Sequence, residues 1–116
     1  MAVFAVTTAR GPAWDAARDI RDQDGWDEHA AFADSLVEQG VTLFGGPIGT
    51  DADAGSVDDG SSVDAGSVDD VALVVLELPD AREVHRTFEA DPWLVSGVLR
   101  LRSVRPWTLW LDGRSR

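Results

Sequence analysis

The sequence predicts an α+β domain with the ferredoxin-like order β-α-β-β-α-β and an antiparallel four-stranded sheet. Three observations carry this reading. Residues 2–8 alternate with a period of two, which places Phe4 and Val6 on one face of a strand. Residues 71–78, VALVVLEL, are a nearly continuous apolar run of strand length. Two stretches with helical periodicity follow these two segments.

After the first strand, residues 11–24 are rich in Gly, Pro and Asp and read as an irregular connection with one helical turn near Trp14. A helix follows. Trp26, His29, Ala30, Ala33, Leu36 and Val37 fall at i, i+3, i+4, i+7, i+10 and i+11, which is one helical face. Asp24 is expected to cap it, Asp27 and Glu28 place negative charge in its first turn, and Gly40 is a good terminator. A second strand is expected at about 41–45, ending in a Gly45-Gly46-Pro47 turn. Residues 48–70 hold only small, acidic and a few aliphatic residues, with AGSVDD at 54–59 and again at 65–70. So little apolar surface cannot offset the entropy of ordering, so this acidic insertion at about 50–70 is expected to be mobile. Its aspartates match neither an EF-hand loop nor a calcium-binding nonapeptide repeat.

The apolar strand at 71–78 leads to a second helix, capped by Asp80 with Glu83 three residues on. Ala81, Val84, His85 and Phe88 form its expected inward face. Asp91-Pro92 begins a one-turn third helix that Gly97 stops. Residues 98–105 alternate as a fourth strand, and after Pro106 the stretch Trp107 to Leu111 reads as an extension of that strand or a short fifth one. With both long helices on one face of the sheet, the other face needs a cover that a chain this short does not supply. A homodimer packed sheet on sheet is therefore expected.

At 116 residues the chain is read as one domain, 1–116. No apolar run approaches a membrane span, and the alternating start reads as a strand rather than a leader, so a cytoplasmic protein is expected. The net charge of −11 repels phosphate backbones and anionic membrane surfaces, which argues against nucleic-acid and membrane partners. Seven aspartates at 51–70 account for much of that charge. The sequence contains no cysteine, no phosphate loop, no dinucleotide fingerprint and no metal-ligand cluster, so no cofactor and no metal site is expected.

Proton-transfer chemistry near neutral pH has few places to reside, because the chain has two histidines and no lysine, tyrosine or cysteine. His29 lies in the apolar stripe of the first helix, where a lone histidine is usually a hydrogen-bonded core residue. His85 is read as structural. Asp91 before Pro92 is also what helix capping alone selects. Trp26, Trp93 and Pro47 are candidates for the wall of a flat apolar pocket, and Gly45 and Gly46 allow a ligand to approach the backbone. Arg100 and Arg102 pair with carboxylates or hold an anion.

The stretches GWDEHAAFADSLVEQGVTLFGGP at 25–47 and ADPWLVSGVLRLRSVRPW at 90–107 resemble the YciI-like (YCII-related) family. The signals are His29 with Phe32, Leu36 and Gly40, then Gly45-Gly46-Pro47, then Asp91-Pro92-Trp93. The resemblance runs from the first strand to Trp107 and skips the insertion. It implies a dimeric α/β barrel, related in fold to muconolactone isomerase and to a dehydrochlorinase of chlorinated hydroquinone breakdown. It also implies a catalytic pair, here His29 and Asp91, with Trp26, Gly45, Gly46, Pro47 and Trp93 around a small substrate. A neutral imidazole held by a carboxylate is a competent general base. The expectation is therefore an isomerase or lyase acting on a small cyclic or carbonyl compound. The alternative is a non-catalytic metabolite-binding or protein-interaction module.

Overall fold

A computed structural model describes residues 1–49 and 70–115. Strands β1 (Ala2–Arg10), β2 (Thr42–Pro47), β3 (Asp70–Leu78) and β4 (Leu99–Pro106) and helices α1 (Trp26–Glu38), α2 (Ala81–Glu89) and α3 (Pro92–Ser96) follow in the order β1-α1-β2-β3-α2-α3-β4. The strands form one sheet in the order β2-β3-β1-β4, with every neighbouring pair antiparallel. This is the ferredoxin-like α+β fold expected from the sequence. The acidic insertion, with its expected mobility, lies outside the described residues.

The strand patterns set the core. The register pairs Phe4 with Leu76 and Val6 with Val74 on one sheet face. Phe4, Val6 and Leu76 pack there against Val84 and Phe88 of α2. A second cluster gathers Trp93, Val98 and Leu99 with Trp14, Ile20 and Trp26. The irregular connection is braced internally by buried Gln23, whose amide donates to the carbonyls of Asp15 (2.8 Å) and Arg18 (3.0 Å). The turn expected near Trp14 is a single hydrogen-bonded reversal, Trp14 N–H to Gly11 O at 3.1 Å.

Several expectations about the helices are corrected. Asp24 does not cap α1. The N-cap is Gly25, in the left-handed region at φ 82°, and Asp24 turns its carboxylate toward Arg18. A left-handed residue at the cap reverses the chain tightly and directs the Asp24 carbonyl to the Trp93 indole. Val37 falls off the packed stripe and is 56% exposed, leaving Leu36 as the buried residue of α1. Ala81 and His85 also lie on the exposed side of α2, where only Val84 and Phe88 are buried. A nine-residue helix lying on a sheet buries a stripe little wider than one i, i+4 pair. By contrast, Asp80 caps α2 as expected, accepting from Glu83 N–H at 2.9 Å.

The Gly45-Gly46-Pro47 segment is not a turn. It is the second half of β2 and pairs with Val74, Leu73 and Ala72 of β3. Pro47 is tolerated because β2 is an edge strand. At Gly45 a Cβ would meet the Leu73 carbonyl oxygen at 3.0 Å and Val74 Cα at 3.1 Å, so the position favours glycine.

On the sheet face away from the helices, Val75 is fully buried while Phe44 is half exposed. The chain supplies part of a cover here, which the sequence reading did not anticipate. Trp107 N–H donates to Val3 O at 2.9 Å, but β4 ends at Pro106, and the expected extension or fifth strand at Trp107 to Leu111 does not form. The chain then brings the Arg114 guanidinium 5.4 Å from the centre of the Phe44 ring. The Asp112 carboxylate bonded to Arg114, with a smaller contribution from Glu77, pushes that guanidinium pKa up. Trp110 and Leu111 remain 89% and 94% exposed.

Candidate active site

His29 and Asp91 stand 62 residues apart in sequence and meet in space. His29 Nδ1 lies 2.9 Å from Asp91 Oδ1. The same Oδ1 accepts the N–H of Trp93, also at 2.9 Å, as the N-cap of α3. Capping and pairing are therefore one arrangement rather than rival explanations of Asp91. A carboxylate oxygen only accepts, so this partner assigns the imidazole proton to Nδ1. Nε2 has no hydrogen-bond partner among the described residues and is the nitrogen left for a ligand.

The imidazole is also fixed from behind. Its ring stacks on the Trp93 indole with centroids 4.0 Å apart and planes 10° from parallel. Trp93 is fully buried and its indole N–H donates to Asp24 O at 2.6 Å, across the start of α1. Trp26 packs at a tilt against both rings, at 6.0 Å from His29 and 5.7 Å from Trp93. The start of α1, the cap of α3 and its first turn thus converge on one imidazole and leave it little rotational freedom.

In front of His29 opens a cavity of about 430 Å³ between α1 and the sheet. It is mainly apolar, walled by Ile20, Phe32, Leu36, Val74 and Leu99 among others. His29, Asp91, Trp26, Gly45, Gly46 and Pro47 all line it, so six of the seven site residues expected from the sequence are brought together. Trp93 is the exception. It is not on the cavity wall, and its role is to back the histidine. Arg100 and Arg102 do not line the cavity either.

Sequence reasoning missed Thr8, which lines the cavity from β1 and is 3% exposed. The available signal was its phase: Thr8 follows Phe4 and Val6 at the same alternating positions, a polar residue on an inward face. Among the described residues no group of three or more His, Asp or Glu side chains is placed to hold a metal ion. Among those residues, too, no helix is long and apolar enough to cross a membrane.

The sequence matches the family model described as YCII-related domain over residues 6–108. Comparison with curated proteins returns no match. Among solved structures, the chain is similar to 5-chloro-2-hydroxyhydroquinone dehydrochlorinase from Burkholderia phenoliruptrix AC1100, solved in complex with 2,5-dihydroxybenzoquinone. The similarity covers 97% of each chain at a TM-score of 0.54 and 19% identity, a likeness of fold.

Proposed function

The chain belongs to the YCII-related domain family, and from that premise we propose that it is a small-molecule enzyme of the lyase or isomerase type. His29 acts as general base and acid, and Asp91 holds its tautomer. The observation that carries this reading is the 2.9 Å His29–Asp91 contact at the wall of an apolar cavity. The dehydrochlorinase neighbour, bound to a small oxygenated ring, supports the choice of substrate class.

The chemistry follows from the geometry. His29 Nε2 takes a proton from a ring hydroxyl or from a carbon beside a carbonyl. The imidazolium that forms is stabilised by the Asp91 carboxylate on its other nitrogen. The electron pair left on the substrate enters the conjugated system. It either expels a leaving group with its bonding pair, which is elimination, or accepts the proton back at another atom, which is isomerisation. Trp26 and Pro47 form the flat walls against which such a ring lies. The same reading includes a homodimer, whose second copy covers the outer sheet face at Phe44 and the exposed Trp110 and Leu111.

The test is chloride release from 5-chloro-2-hydroxyhydroquinone and turnover of non-chlorinated hydroxyquinones. Wild-type protein is expected to turn over at least one of them, and His29→Gln to be slower by about 10²–10⁴-fold with an unchanged circular dichroism spectrum. Equal rates in the two proteins would remove His29 from the mechanism. Saturable binding without turnover would favour the binding-module reading.

A further inference from the structure

Thr8 is the one buried side-chain polar atom without a hydrogen-bond partner among the described residues. Its neighbour in sequence makes the contrast plain. The Thr7 hydroxyl lies 2.6 Å from the Ser103 hydroxyl across the β1–β4 pair. Thr8 Oγ1 has no such contact, although Thr8 is 3% exposed and lines the cavity in front of His29.

The backbone at this point is irregular on both sides. The register with β4 shifts between Thr7 and Thr8, and the register with β3 shifts between Thr8 and Ala9. Bulges of this kind re-aim side chains and are common beside binding sites. A hydroxyl removed from water without a partner disfavours folding, whereas valine has the same shape and no such cost. A threonine at a position where valine fits is therefore explained when something entering the cavity satisfies the hydroxyl.

We infer that Thr8 Oγ1 hydrogen-bonds an oxygen of the ligand and, with His29, selects a small neutral ring bearing at least two oxygens. The inference rests on the cavity being the substrate site proposed above. Neutrality follows from the lining. Among the described residues its carboxylates are Asp34 and Asp91, and no arginine lines it. A carboxylate or phosphate ligand would meet two like charges and no countercharge, in a chain whose net charge is already −11. The volume of about 430 Å³ lies in the lower part of the usual range for small-molecule sites. A Thr8 hydroxyl donates to a ring carbonyl or accepts from a ring hydroxyl, so it serves both oxidation states of such a compound.

The experiment is equilibrium binding by NMR, with hydroquinone and toluene as probes, to wild type, Thr8→Val and Thr8→Ser. Wild type is expected to bind hydroquinone more tightly than toluene. Thr8→Val should weaken hydroquinone binding by roughly three- to tenfold and leave toluene unchanged, and Thr8→Ser should retain most of the hydroquinone affinity. Thermal unfolding of Thr8→Val should be unchanged or shifted upward, because no internal hydrogen bond is lost. Equal hydroquinone affinity in wild type and Thr8→Val would overturn the inference. So would a wild type that binds no hydroquinone, or a clear fall in melting temperature in Thr8→Val. Binding is read without turnover. A Thr8 effect in a protein that proves inactive therefore upholds this inference while the catalytic reading fails.

Discussion

Asp91 Oδ1 accepts from two donors at once, the His29 ring and the Trp93 backbone. Its negative charge and its role as an acceptor respond differently to substitution, so they can be separated. Asparagine caps helices nearly as well as aspartate, whereas alanine does not. Asp91→Asn is therefore expected to unfold within about 1 kcal/mol of wild type in urea, and Asp91→Ala to lose about 1–2 kcal/mol. Neither variant can stabilise an imidazolium, so both should lose turnover by about 10²-fold or more. Nitrogen NMR should show the Nδ1–H form of His29 dominant in wild type, retained in Asp91→Asn, whose Oδ1 still accepts, and depleted in Asp91→Ala. An Asp91→Asn protein with full activity would reduce Asp91 to a helix cap. That Asp91 caps α3 was legible in the Asp-Pro pair. That it also touches His29 was not, because no local rule links positions 62 residues apart. That expectation came from the family resemblance.

Elements, rather than single residues, set where the imidazole stands. The α1 stripe from Trp26 to Leu36 and the capping sequence of α2 were readable because periodicity and capping are local properties. The true start of α1 was not. Asp24 has the right chemistry for a cap, yet Gly25 takes the position, because the reversal into the helix needs a positive φ and the Asp24 carbonyl is claimed by Trp93. The Thr8 irregularity was hidden for a similar reason: it depends on the registers of two partner strands, neither adjacent in sequence. Gly25→Ala tests the reversal. An added Cβ would stand 3.3 Å from Trp93 Nε1, and φ 82° disfavours any side chain. Urea unfolding should show a loss of about 1–2 kcal/mol, with a shift of the Trp93 indole N–H resonance. An unshifted resonance would mean that the start of α1 does not hold the indole.

At the scale of the whole molecule, the described residues leave one sheet face incompletely covered. The need for a cover could be read from VALVVLEL, which is apolar on both sides of the strand. The partial answer within the chain could not, since Arg114 reaches Phe44 through a tail with no regular pattern. Trp110 and Leu111 of that tail are almost wholly exposed. Sedimentation velocity is expected to give a dimeric mass for wild type, and Trp110→Ser combined with Leu111→Ser is expected to shift it toward monomer. A monomeric wild type at micromolar concentration would exclude the sheet-on-sheet dimer.

The face-to-face contact between His29 and Trp93 has a consequence for measurement. An indole excited beside a cationic ring loses its energy to that ring without emitting light. Trp93 lies against His29 but off the cavity wall, so an entering molecule changes its surroundings chiefly through the histidine. With Trp14, Trp26, Trp107 and Trp110 replaced by phenylalanine, the emission of Trp93 becomes an optical gauge of where the proton sits. Such a gauge reports events at the cavity for any compound added, including those the protein binds but leaves intact.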